Sequence, residues 1–109
     1  MNNLTGYSLF ILALLAVIPA FAAPIVELEI RDHLFYPAEL EIPVDTKVKL
    51  VIINNDATAE EFESFELNRE KVTPGMSKGI LFIGPLPAGE YPFFGEFFPN
   101  TAQGKVIVK

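Results

Sequence analysis

The chain has 109 residues, enough for one domain, and it carries a formal net charge of −6 with no cysteine and a single histidine. This acidic balance disfavours nucleic acid and anionic membrane surfaces as partners, and it favours cations or basic protein patches. Ser–His and Cys–His nucleophile pairs are excluded by the histidine and cysteine counts, and no glycine-rich phosphate loop is present. We therefore expect a protein that is not an enzyme.

The first 22 residues have the character of an export signal. Residues 9–23 are almost continuously apolar, a length that suits a signal-peptide core and is short for a membrane span. Ala20, Phe21 and Ala22 supply a small-x-small cleavage pattern, although residues 1–8 lack the usual basic residue. We predict a signal peptide over residues 1–22 and an exported periplasmic domain over residues 23–109 without a membrane span. A retained anchor is the alternative.

Period-2 alternation of apolar and polar residues follows, which is typical of half-buried strands. It predicts strands over residues 26–31, 39–44, 47–54, 61–67, 77–83, 90–97 and 105–109. In the third of these Val51 and Ile53 make the second face apolar as well, which indicates a central strand. The one candidate for helix is a single turn over residues 68–71.

Strand spacings of roughly 8–12 residues, with turn signals between them, favour an all-β fold. We predict an antiparallel Greek-key β-sandwich of seven or eight strands over residues 25–109. Its expected core residues are Val26, Leu28, Ile30, Leu40, Ile42, Val48, Leu50, Ile52, Phe62, Phe82, Phe93, Val106 and Val108.

Residues 91–104 and the apolar run after them resemble the ligand loop of the cupredoxins, the small copper proteins. In that family the loop reads Cys-x-x-His-Pro-x-x-Met-x-Gly. Gly95, Phe98 and Ala102 stand here where the Cys, His and Met would be, while Pro99 and Gly104 keep their places. A blue-copper site needs a Cys thiolate and two His. The resemblance therefore implies a cupredoxin-like sandwich with no type-1 copper.

Two further segments resemble cupredoxins in the same order along the chain. Residues 35–44 are similar to the family's opening F-x-P…I-x-V pattern, and residues 49–56 to the strand that enters the first ligand loop. With the closing loop they span residues 25–109.

A narrower resemblance involves residues 60–72, together with residues 84–86 and 93–97. These segments are similar to EfeO-like domains and to the small periplasmic proteins that accompany bacterial iron permeases. The resemblance implies a metal site of carboxylates and His, and a membrane iron permease or another periplasmic iron-uptake component as partner. Members often carry His where Phe98 stands and Asp where Asn100 stands. These two departures weaken a metal site at this end.

Acidic residues are concentrated between positions 56 and 70. This segment contains six acidic residues and only one basic residue, Arg69. Cupredoxin spacing puts Glu60, or Glu61, at the first ligand position, and Glu96 lies beside the vacated Cys position. On a strand Glu61 and Glu63 share a face.

The histidine lies in the loop between the first two strands, which in cupredoxins comes near the ligand end. The resulting prediction is a metal site whose ligands are His33, Glu60, Glu61, Glu63 and Glu96.

Carboxylates with at most one imidazole suit hard or borderline cations such as iron, Mn²⁺ or Cu²⁺, and they do not suit Cu⁺. The expected cofactor is therefore a metal ion, iron or copper, and the expected function is an accessory role in bacterial iron or copper uptake. Two alternatives stay open. The acidic residues are a solvated strand face, or the domain is a metal-free interaction module that docks through its acidic and Phe-rich surface.

Overall fold

The computed structural model describes residues 22–109, which form nine strands and no helix. The all-β prediction is confirmed. The strands are β1 Ile25–Arg31, β2 Leu34–Tyr36, β3 Glu39–Ile42, β4 Val48–Asn54, β5 Glu60–Ser64, β6 Arg69–Thr73, β7 Ser77–Ile83, β8 Gly89–Gly95 and β9 Gln103–Val108. The predicted signal peptide lies outside the described residues except for Ala22. Within residues 22–109 no helix is long and apolar enough to cross a membrane.

The strands pack as a sandwich of two sheets. One sheet has the order β2-β1-β4-β7 and the other the order β3-β9-β8-β5-β6. Most neighbours are antiparallel, as predicted, but β1 pairs with β4 and β3 with β9 in parallel. The alternating pattern of a strand does not reveal the direction of its neighbour. The predicted central strand is confirmed, because β4 lies between β1 and β7.

Two short strands were not predicted from the sequence. One is β2, and the other is β6, which covers most of the segment considered as a helical turn. That helical interpretation is wrong: residues 65–68 form the turn, and β6 pairs back onto β5 from Ser64 opposite Arg69. Asn68 has a φ of 52° in this turn, and Leu67 donates its N–H to the Ser64 hydroxyl. A turn closed by such local hydrogen bonds returns the chain as a hairpin.

The core lies between the two sheets and contains nearly all of the predicted residues. Phe35, Phe62 and Phe93 form an aromatic cluster at its centre, with ring centroids 4.9–6.3 Å apart. Val26 packs against the core and is only partly buried. The buried apolar residues that the sequence did not identify are Phe35, Leu67, Leu81, Ile83 and Ala102.

Phe82 was predicted to be in the core, and this prediction is wrong. Its side chain is 43% exposed, whereas Leu81 and Ile83 are buried. The amino group of Lys47 lies 4.8 Å above the Phe82 ring on the outer surface. Residues 80–83 are all apolar, so period 2 alone did not determine which face of β7 points inwards.

Four connections meet at one end of the sandwich, here called the loop pole: residues 32–33, 55–59, 74–76 and 96–102. Asn54, which is buried at the end of β4, joins two of these segments, 55–59 and 74–76, to the end of β6. Its amide group donates to the carbonyl oxygens of Thr58, Thr73 and Pro74, and its carbonyl accepts the N–H of Asp56. One buried amide thus fixes the segment that leads into β5.

Candidate metal site

Three carboxylates gather on the outer face of the second sheet. Oxygen atoms of Glu61, Glu63 and Glu70 all lie within 4.8 Å of one another, and this group is called the acidic cluster below. Glu61 and Glu63 alternate with the buried residues of β5, and Glu70 of β6 lies directly opposite Glu63. Strand alternation and the register of the β5–β6 hairpin together produce this arrangement.

Electrostatic repulsion within the cluster is not neutralised by a basic side chain. Among residues 22–109 no Lys or Arg lies within 4.0 Å of these three carboxylates, and Arg69 instead donates to the carbonyls of Phe82 and Asn68. The pKa of Glu63 is raised above its ordinary value of 4.5, first by desolvation and then by Glu70, Glu61 and Glu96. A cation between these oxygens would relieve the repulsion.

The raised pKa predicts how Glu63→Gln changes stability with pH. A carboxyl that ionises less readily in the folded state destabilises the fold once it is charged, so this contribution worsens as pH rises through its pKa. We expect the variant to melt at or above the wild-type temperature at neutral pH. The difference should shrink as pH falls to about 4. Thermal unfolding across this range, with Glu27→Gln as a control on β1, measures it. A variant less stable than wild type by a constant amount at every pH would contradict this expectation.

Glu60 immediately precedes Glu61 in sequence, but its side chain points to the opposite face of β5. Its side chain lies on the inner face of β5 and is 2% exposed. One carboxylate oxygen accepts the N–H groups of Glu61 and Phe97, at 2.8 and 2.9 Å. Since neighbouring residues of a strand point to opposite faces, Glu60 and Glu61 do not reach the same ion.

His33 lies at the loop pole, as predicted, but it packs against other groups. Its ring stacks on Phe98 with centroids 3.6 Å apart. The Nδ1 atom lies 3.5 Å from Oδ2 of Asp56, which also accepts the backbone N–H of His33, while Oδ1 of Asp56 accepts the N–H of Asp32. The histidine is thus not part of the acidic cluster.

Glu96 borders the cluster. It is exposed, its N–H donates to the carbonyl of Glu61, and its charge helps to raise the pKa of Glu63. Of the five predicted ligands, Glu61 and Glu63 lie within the cluster and Glu96 lies beside it. The other two, His33 and Glu60, are outside it. Glu70 was missed as a ligand because its place opposite Glu63 follows from the hairpin that was interpreted as a helical turn.

Comparison with known proteins agrees with this architecture. Residues 5–108 match the family of cupredoxin-like domains. The chain belongs to that family. A cupredoxin-like domain with type-1 copper would need a thiolate, and this chain has no cysteine. Gly95, Phe98 and Ala102 offer no side-chain donor at the loop pole, so these residues do not fit a blue-copper centre.

One relative of this cupredoxin-like domain is an uncharacterized protein of Rickettsia prowazekii. The two are 45% identical over 83 residues, which cover 76% of this chain and 66% of the relative. The chain thus spans slightly less than two thirds of that protein's length.

Solved structures share the fold at low sequence identity. Auracyanin A, a blue copper protein of Chloroflexus aurantiacus, superposes with a TM-score of 0.69 at 13% identity, covering 81% of this chain and 100% of that one. The metal binding domain of the Cu(I)-exporting ATPase CopA of Streptococcus pneumoniae gives 0.66 at 11% identity, covering 83% and 91%. These likenesses establish the fold alone.

Proposed function

We propose that this cupredoxin-like domain is an exported accessory protein of bacterial iron or copper uptake that binds a metal ion through the acidic cluster. The observation that carries the proposal is the approach of three carboxylates to within 4.8 Å without a basic partner among the described residues. Repulsion of this kind makes a cation favourable at that place.

The donor set indicates the class of ion. Carboxylate oxygens from Glu61, Glu63 and Glu70, with water in the open positions, suit Fe³⁺, Fe²⁺, Mn²⁺ or Cu²⁺. Glu96 adds negative charge at the border of the site. The chain supplies no thiolate for Cu⁺. The protein then acts by holding and transferring an ion, without catalysis.

Three observations support the cellular role. The apolar segment before residue 23 has the pattern of an export signal. Residues 60–72 resemble domains associated with bacterial iron permeases, and structural neighbours named as copper or metal-binding proteins share the fold. The partner we propose is a membrane iron permease or another periplasmic iron-uptake component that receives or delivers the ion.

Calorimetric titration of the purified domain with Fe³⁺ citrate, Cu²⁺ and Mn²⁺ tests the site. We expect at least one ion to bind with a Kd below about 100 μM, without the intense blue colour of a thiolate complex. Glu61→Gln, Glu63→Gln and Glu70→Gln should each weaken binding roughly tenfold or more, and Glu96→Gln by less. Because protons compete for the same oxygens, binding should fall steeply below about pH 5.

Glu27→Gln is the matched control, because it removes the same charge from an exposed position on β1 of the other sheet. If all the variants bind like this control, the ion does not sit in the acidic cluster. If the wild type binds none of the three ions below about 100 μM, the metal function fails altogether.

A metal-free docking module is the second candidate, and exposed aromatic residues favour it. The side chain of Phe65 is 74% exposed and lies 5.5 Å from the ring of Phe94, while Phe97 is 49% exposed. Phe65 also lines a depression of about 280 Å³ together with Glu63 and Glu70. An acidic surface with exposed aromatics suits a basic partner. Loss of permease binding in Phe65→Ser, together with no binding of the three ions by the wild type, would identify this role.

A further inference from the structure

Glu60 is an unusual feature of the loop pole because it is a buried carboxylate. Its side chain is 2% exposed. Oε1 accepts two backbone N–H groups, whereas Oε2 has no hydrogen-bond partner. Burying a carboxylate in this way carries a desolvation cost, which specific hydrogen bonds must offset.

The carboxylate packs against Gly95 at the end of β8. A Cβ atom on residue 95 would lie 2.5 Å from both Cδ and Oε2 of Glu60, and 2.7 Å from Cβ of Ala102. Contacts this short show that the carboxylate packs directly against Gly95. The two N–H groups that Oε1 accepts are donors, and their positive ends disfavour a cation at that oxygen. Only a glycine at position 95 makes room for the buried Glu60 side chain.

The segment 96–102 is attached to the sandwich at several points. The Thr101 hydroxyl donates to the carbonyl of His33, and the side-chain amide of Gln103 donates to the carbonyl of Pro99. Gly95 donates to the carbonyl of Ala102, and Glu96 donates to the carbonyl of Glu61. Between these points the N–H of Phe97 donates to the Glu60 carboxylate, 37 residues away in sequence. This bond joins the loop to the beginning of β5.

We propose that Glu60 is an internal clamp that holds residues 96–102 against β5 where a cupredoxin would hold them with its metal, and that this position takes up no ion. Glu60 stands at the first ligand position of a cupredoxin. Its partners there are the N–H groups of Glu61 and Phe97 instead of a metal ion. An ion bound by the domain would then lie on the outer face of the sheet, and the loop pole would keep its shape whether or not that ion is present.

Hydrogen exchange of the Phe97 amide tests the clamp, and Lys49 provides the reference because its N–H donates to Pro24 at the opposite end. In Glu60→Ala the Phe97 amide should exchange at least roughly tenfold faster than in wild type after correction for the reference. In Glu60→Gln, whose amide oxygen can still accept both N–H groups, the rate should stay within about threefold. An equal change at Phe97 and Lys49 in Glu60→Ala would overturn the clamp.

Folding of the variants is informative as well. Failure of Glu60→Ala to fold while Glu60→Gln folds supports the clamp, because the two differ in the acceptor oxygen. Failure of Glu60→Gln to fold, or rapid Phe97 exchange in it, overturns the clamp.

The same measurement with Cu²⁺, Mn²⁺ or Fe³⁺ citrate separates a clamp from a ligand. A clamp predicts that these ions leave Phe97 exchange, corrected for the Lys49 reference, unchanged in both wild type and Glu60→Gln. Protection that rises roughly tenfold with an ion in wild type and not in Glu60→Gln would make Glu60 a metal ligand and overturn the proposal. Exchange of the Phe97 amide in the absence of ions does not depend on the acidic cluster. The test of Glu60 therefore remains valid even if the domain binds no metal ion.

Discussion

Replacing Phe62 with alanine should lower the free energy of unfolding by about 3–5 kcal/mol. Phe62 is fully buried, and its ring lies 4.9 Å from that of Phe93 and 6.3 Å from that of Phe35. Alanine would remove this burial and leave a cavity between two rigid sheets that cannot close around it. Urea denaturation followed by circular dichroism measures the change.

Phe82→Ala is the matched control, since the same ring is removed from an exposed position on β7. Its loss should stay below about 1 kcal/mol, because the ring is already partly in water. Similar losses in the two variants would mean that the assignment of the inner and outer faces of β7 is wrong.

Asn54→Ala should cost at least about 3 kcal/mol, although it removes only a small polar side chain. The amide group of Asn54 is buried and joins Thr58, Thr73, Pro74 and Asp56 through four hydrogen bonds. Without it, three carbonyl oxygens and one N–H lose their partner, and those left buried away from water are costly. The same denaturation experiment measures the loss.

Asn55→Ala provides the comparison at the next position. Asn55 is exposed and donates to a carboxylate oxygen of Glu29 on the surface. Its replacement should change the free energy of unfolding by less than about 1 kcal/mol. If Asn54→Ala behaves in the same way, the loop pole does not depend on that buried amide.

The loop pole and the acidic cluster use polar side chains in different ways. At the pole, Glu60 and Asn54 use their polar atoms to hold connections together. On the outer face, Glu61, Glu63 and Glu70 hold their carboxylates close together without such partners. Groups that hydrogen-bond to the backbone in this way hold the structure together, whereas groups whose charge is uncompensated are free to bind a cation.

Much of the fold followed from the sequence alone. Alternation identified seven of the nine strands, and it placed residues such as Leu28, Ile52 and Phe93 in the core. These patterns are local, because successive side chains of a strand point to opposite sides of the sheet. The order of three family-like segments added the cupredoxin-like architecture, which the match over residues 5–108 confirms.

The composition of the candidate site depended on tertiary structure. No local pattern predicts that Glu70 lies opposite Glu63, since this depends on where the 65–68 turn closes. Cupredoxin spacing left Glu60 and Glu61 as alternatives for the first ligand position. Only the packing of the two sheets shows that Glu60 is the residue that faces inwards. A shift of one residue in strand register moves every side chain to the other face. Sequence therefore indicated an acidic site in this region, and the pairing of strands decided which carboxylates meet.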